Sequence, residues 1–128
     1  MTKSLLSDGM GAGFVMLPID PAGPLLVALR AGRLQGRDVA ILWALVTTVD
    51  WRSGRSWTSI TEMAAATGRS WHSAQQSLGR LRKEALLARG SDKRDPRRRY
   101  WCINPVVAAT GGPARRQQQW QQFQRALE

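Results

Sequence analysis

The order of signals between Ser59 and Pro105 limits what this chain can fold into more than any other feature. Ser59 and Glu62 make an S-x-x-E pattern, in which each side chain satisfies an orphan amide at a helix start. Met63, Ala64 and Ala65 offer small apolar packing, and Gly68 is placed to stop the helix in a left-handed turn. Ser70 is the expected N-cap of a second helix that runs to about Ala85. Its apolar stripe is Ala74, Leu78, Leu81 and Ala85, and its other face carries His72, Gln75, Gln76, Arg80 and Lys83. Leu86–Gly90 and Arg97–Ile103 read as two strands around a turn-rich tip, Ser91–Pro96. On a period of two, Trp101 and Ile103 share one strand face, while Arg98, Tyr100 and Cys102 share the other. Asn104-Pro105 ends the strand, because proline cannot continue the ladder.

A short, Ala-rich helix ending in glycine lets a second helix cross it closely. Helix, turn, helix and basic hairpin, in that order, predict a winged helix-turn-helix: mainly α with a small β-hairpin wing, α+β in class. This domain is expected over residues 14–110. A Gly-rich, flexible segment at 1–13 precedes it, and an extra Gln-rich amphipathic helix at 111–128 follows. Phe14–Leu17 could form an edge strand, and Ser56–Thr58 a short first strand of the wing sheet. Pro24 suits the first turn of a helix covering Leu25–Ala31. Arg37–Asp50 reads as a strong helix with Val39, Leu42, Trp43 and Val46 on one face, widened by Ile41, Leu45 and Val49. A helix so apolar must be buried by its own domain or by a second copy. In the last helix, Trp120, Phe123 and Leu127 stand at i, i+3 and i+7, so it should dock on the body or on a partner.

Charge narrows the partner. The 128 residues carry 19 Lys+Arg against 9 Asp+Glu, a net +10, and the excess is mostly arginine. Such a balance favours a polyanion, with nucleic acid ahead of an acidic membrane surface. The apolar run Val39–Val49 is too short to span a bilayer, no signal peptide is apparent, and a cytoplasmic protein is the default. One cysteine, Cys102, excludes an internal disulfide and a cysteine-rich metal site. One histidine, His72, with no second ligand nearby in sequence, gives no metal spacing and no catalytic constellation. The segment GAG at 11–13 lacks the Lys-Ser/Thr of a phosphate loop. No cofactor, metal or enzymatic activity is expected. Six tryptophans argue against a basic RNA binder of the ribosomal kind.

Sequence readout in such a fold comes from the first turns of the second helix, placed in the major groove. Those positions here are Arg69, Ser70, Trp71, His72, Ser73, Gln75 and Gln76, with Arg80 and Lys83 further along expected on the backbone. Glutamine can bond bidentately to adenine, and serine to base edges or phosphate. A solvated helix face is the alternative for the glutamines, and packing against its own domain is the favoured role for Trp71. Lys93, Arg94, Arg97, Arg98 and Arg99 crowd the wing, where phosphate or minor-groove contact would relieve their repulsion. Trp43, Trp120, Phe123 and Leu127 are candidates for dimerisation or tail docking.

In sequence the chain resembles the RepL-like family of winged-helix plasmid replication proteins. The resemblance is carried by the early Phe-Val strand, the apolar helix VAILWALVTTVD, the helix-turn-helix ITEMAAATGRSWHSAQQSLGRLRKEALLAR, and Trp101, Ile103, Asn104, Pro105 and Gly111. It covers about residues 14–127, and departs from the family in a longer, more basic wing and a Gln-rich tail. It implies a sequence-specific binder of double-stranded DNA that initiates plasmid or mobile-element replication, as a homodimer recruiting host replication proteins. A phage or mobile-element transcription regulator on the same domain would carry the same residues. A third reading is a protein-interaction module that inhibits or recruits a host factor.

Overall fold

The computed structural model describes residues 15–16, 23–50, 52–110 and 113–127. The expected flexible segment 1–13 and the Gly111-Gly112 turn lie outside them. β1 (Val15–Met16) pairs antiparallel with β5 (Ala109–Thr110). Pro24 opens α1 (Pro24–Arg30), where a missing N–H costs nothing. α2 (Gly36–Val46) stops short of the expected Asp50. The hydroxyls of Thr47 and Thr48 donate to the carbonyls of Ala44 and Leu45, competing with the next helical amides.

The helix-turn-helix is built as its caps dictate. Ser59 and Glu62 cap α3 (Ile60–Thr67) reciprocally, each bond 3.1 Å. Gly68 ends it at φ 66°, where a side chain would be strained. The Ser70 hydroxyl accepts from the Ser73 amide at 3.1 Å and starts α4 (Trp71–Lys83). The expected end at Ala85 is not reached. Ala85 itself takes φ 57° and is exposed, so it leaves the apolar stripe. That left-handed step lets the Leu86 amide bond the Leu81 carbonyl at 3.0 Å while the Leu86 side chain is fully buried.

β2 (Arg55–Ser56), β3 (Leu87–Ser91) and β4 (Arg99–Ile103) form an antiparallel sheet in the order β2-β4-β3. The hairpin β3–β4 is the wing, paired from Leu87↔Ile103 to Ser91↔Arg99. The period-two reading of β4 holds, and both of its faces are covered. Trp101 and Ile103 join Leu87, Ile41, Leu45, Met63, Leu78 and Leu81 in the main core. On the other side Tyr100, Cys102 and Ala88 pack on Phe123 of α5 (Pro113–Leu127).

The docking face of α5 differs from the expected aromatic stripe. Phe123 is 1% exposed, but Trp120 is 37% and Leu127 50% exposed. Gln119 is buried instead, and Gln122 turns inward to accept from Arg55 Nε and to donate to the Ser53 carbonyl at 2.9 Å. Glutamines with fixed partners can face a protein interior, and that rotates the helix away from its apolar spacing. The chain is a winged helix-turn-helix of mixed α+β class with an additional C-terminal helix. Among the described residues no helix is long and apolar enough to cross a membrane.

Candidate nucleic-acid interface

α4 separates its two faces cleanly. Ala74, Ser77, Leu78 and Leu81 are buried against the body. Trp71, His72, Gln75, Gln76, Gly79, Arg82 and Lys83 are exposed and run the length of the helix at spacings of three and four. Trp71 is 43% exposed, and its ring meets the His72 imidazole edge to face at 5.4 Å. It therefore projects from the helix start rather than stapling onto its own domain. Gln75 and Gln76 point outward, one turn before a glycine that leaves the middle of the face flat.

Arg69 and Ser73 are held locally. The Arg69 guanidinium donates to the Arg37 carbonyl at 2.7 Å and to Ser73 through Nε and Nη2. Ser70 is occupied as the cap. These three shape the turn.

Arg80, expected on the DNA backbone, is turned inward. Its Nη2 donates to Asp38 Oδ1 at 2.8 Å and its Nε at 3.0 Å, while Ser77 Oγ donates to the same oxygen at 2.6 Å. Asp38 is fully buried, and its other oxygen caps α2 by accepting from the Gln35 amide at 2.9 Å. Burial alone would push the Asp38 carboxyl up. The bonds from Arg80, Ser77 and Gln35, with the Arg80 charge, outweigh it and hold the group below the usual carboxylate range. The Arg80–Asp38 pair thus ties α4 to α2. Arg82, which sequence reading passed over, takes the outward place. The spacing 72, 75, 76, 79, 82, 83 carried that signal.

In the wing, Asp92 and Asp95 accept from the amides of Arg94 and Arg97 at 2.9 and 3.1 Å, so aspartates shape the tip without neutralising it. Lys93, Arg94, Arg97, Arg98 and Arg99 are all exposed. Arg98 is also tied to the body. Its guanidinium lies 4.2 Å above the Trp57 ring, Trp57 meets Tyr100 edge to face at 5.2 Å, and Arg55 covers Tyr100 at 4.2 Å. This stack fastens the wing to β2. Gly90 makes room for it: a Cβ there would come within 2.4 Å of the Tyr100 ring.

Arg89 was also missed. It sits on β3 opposite Trp101, with its guanidinium 4.5 Å from the indole centroid. Burial, then the charges of Arg99 and Arg82, push its pKa below the ordinary arginine range. Away from all of these lies an apolar groove of about 320 Å³ between α1, α2 and Val106–Val107, lined in part by Leu26, Val39 and Trp43. Trp43 stands 55% exposed there, and Trp120 lies against Phe123 at 6.1 Å. Among the described residues no three His, Cys, Asp or Glu side chains come together as metal ligands.

No protein-family model matches the chain, and no curated protein sequence matches it. A solved structure, that of a mutant of MepR from S. aureus, is similar over 77% of this chain at 16% identity, with a TM-score of 0.42. The alignment spans 62% of that structure's chain. A likeness of that extent carries no functional argument, and the fold assignment stands on the geometry above. The Asn-Pro pattern behind the RepL-like resemblance has a structural cause. Asn104 Nδ2 donates to the Ala85 carbonyl at 3.0 Å and its Oδ1 accepts from the Val106 amide at 3.0 Å, so the residue locks the corner after β4 to the end of α4.

Proposed function

We propose that this chain is a sequence-specific binder of double-stranded DNA that regulates by occupying its site. α4 would lie in the major groove with His72, Gln75 and Gln76 toward base edges, and Lys93, Arg94, Arg97 and Arg99 of the wing would fall on phosphates. The observation that carries this reading is the exposed face of α4: polar, flattened at Gly79, ending in Arg82 and Lys83, and set beside a basic wing. The net charge of +10 favours the same partner. Replication initiation rests on the resemblance alone, and Asn104 in its Asn-Pro pattern has a local structural role. Regulation by occupancy asks no further activity of the chain, and we prefer it.

Selection from a random duplex library, followed by salt-dependent binding to the winner, tests the proposal. An enriched motif, bound with a steep loss of affinity as salt rises, is the expected outcome. A palindromic motif would add a second copy, and its position at a promoter or an origin would separate regulation from replication. A folded protein that enriches no motif refutes sequence-specific binding and leaves the protein-interaction reading in its place.

A further inference from the structure

Between the last turn of α4, the outer strand β3 and the end of α5 lies a cavity of about 390 Å³, lined by Gly79, Arg82, Lys83, Arg89 and Leu127 among others. On a period of two, Arg89 falls on the same strand face as Leu87, which is fully buried against the core. An arginine is thus seated at the edge of an apolar face. The Trp101 ring, 4.5 Å from the guanidinium carbon, gives it a cation–π contact but no hydrogen-bond acceptor. The Nε of Arg89 is buried and finds no hydrogen-bond partner among the described residues. Arg82 and Arg99 lie close enough to act on it electrostatically, and no carboxylate among the described residues lines the cavity. A buried donor without an acceptor, beside further positive charge, is a costly arrangement in the free protein. A tetrahedral anion in the cavity would offset the positive charge that Arg82, Lys83 and Arg89 gather there.

We propose that this cavity is a phosphate site, in which Arg89 and Arg82, with Lys83 at the rim, hold one backbone phosphodiester of the bound duplex. The inference rests on the DNA-binding reading for its source of phosphate. The site continues the exposed face of α4 past Gly79, where an added Cβ would meet nothing within 4 Å, so a sugar-phosphate strand can pass close to the helix. Arg89 would then join the recognition helix to the wing, giving one phosphate a fixed position between the two.

Two variants test it. Arg89→Gln removes the central charge. Gly79→Glu sets a carboxylate at the mouth from an open, exposed helix position, and carries the test if the first variant does not fold. With the selected duplex as probe, each should lower the slope of log affinity against log salt by about one, and Arg89→Gln, off the recognition helix, should leave sequence preference unchanged. If the wild type binds the duplex and folded variants keep its slope, the site is overturned while the DNA reading stands. If the wild type binds no duplex, the DNA reading falls and inorganic phosphate decides the site. A rise in Tm specific to phosphate over chloride at equal ionic strength, lost in Arg89→Gln, would keep it as a site for a free phosphate or small phosphoester. No such rise overturns it.

Discussion

Replacing Arg80 with methionine separates a structural arginine from a DNA contact. The substitution keeps most of the side chain's length and removes its charge, leaving Asp38 fully buried with only Ser77 and the Gln35 amide as donors. Breaking a buried pair by removing one partner costs about 3–5 kcal/mol. Arg80 is itself 31% exposed and two donors remain, so the expected loss is nearer 2–3 kcal/mol. For a chain of 128 residues that is a fall of roughly 10 °C in Tm. The Asp38→Asn/Arg80→Met double variant should lose less than the sum of the single changes, because no uncompensated charge stays behind, with a coupling of about 1–2 kcal/mol. Urea unfolding with unchanged m-values is the assay. Acid supplies a second reading of the same pair. The folded-state pKa of Asp38 is depressed, so its stabilisation is present above the unfolded value of about 4 and disappears as pH falls through the lower folded value. Asp38→Asn should lack that acid slope. The double variant should also keep the wild-type salt dependence on DNA. A stability loss under about 1 kcal/mol for Arg80→Met, or a salt slope that falls by about one in the double variant, would refute the structural role and return Arg80 to the phosphates.

Five further outcomes are expected. Gln75→Ala with Gln76→Ala should erode sequence preference more than total affinity, measured by competition between selected and scrambled duplexes; unchanged preference would remove α4 from the major groove. Arg94→Ala with Arg97→Ala should weaken binding to every duplex and flatten its salt dependence, whereas Arg98→Ala should cost about 0.5–1 kcal/mol of stability by stripping Trp57 of its cation. Phe123→Ala should destabilise by about 3 kcal/mol and release α5 to proteolysis, and a protected helix in that variant would mean other contacts hold it. Burial pushes the Cys102 thiol up to about 11, with Arg55 pulling weakly the other way. The folded value is thus raised, so stability is complete below the unfolded value of about 9 and is lost as pH climbs toward 11. A Cys102→Ala variant with the same alkaline slope would show that another group titrates.

The caps and strand alternation were legible because they depend on neighbours in sequence. Ser59, Glu62, Gly68 and Ser70 each act within three or four residues, and Trp101 and Tyr100 point oppositely because a strand leaves no choice. What failed was phase where a polar side chain has a distant partner. Arg80 faces inward because Asp38 lies 42 residues earlier in the chain, and Gln122 because Ser53 lies 69 residues away. Neither partner announces itself locally. Arg82 was recoverable, since continuing the outward spacing from Gly79 selects it over Arg80. Arg89 was not, because an arginine on a core-facing strand position makes sense only once Trp101 is known to lie opposite.

The burial of β4 on both sides makes α5 a matter of solubility as well as stability. A chain cut after Ile103 keeps the hairpin and loses the helix that covers it. Ala88, Tyr100 and Cys102 would then form a naked apolar surface on a hairpin with an open edge. A stop codon in that stretch would therefore yield a sticky fragment that chaperones or proteases must intercept, rather than a shorter version of the same domain.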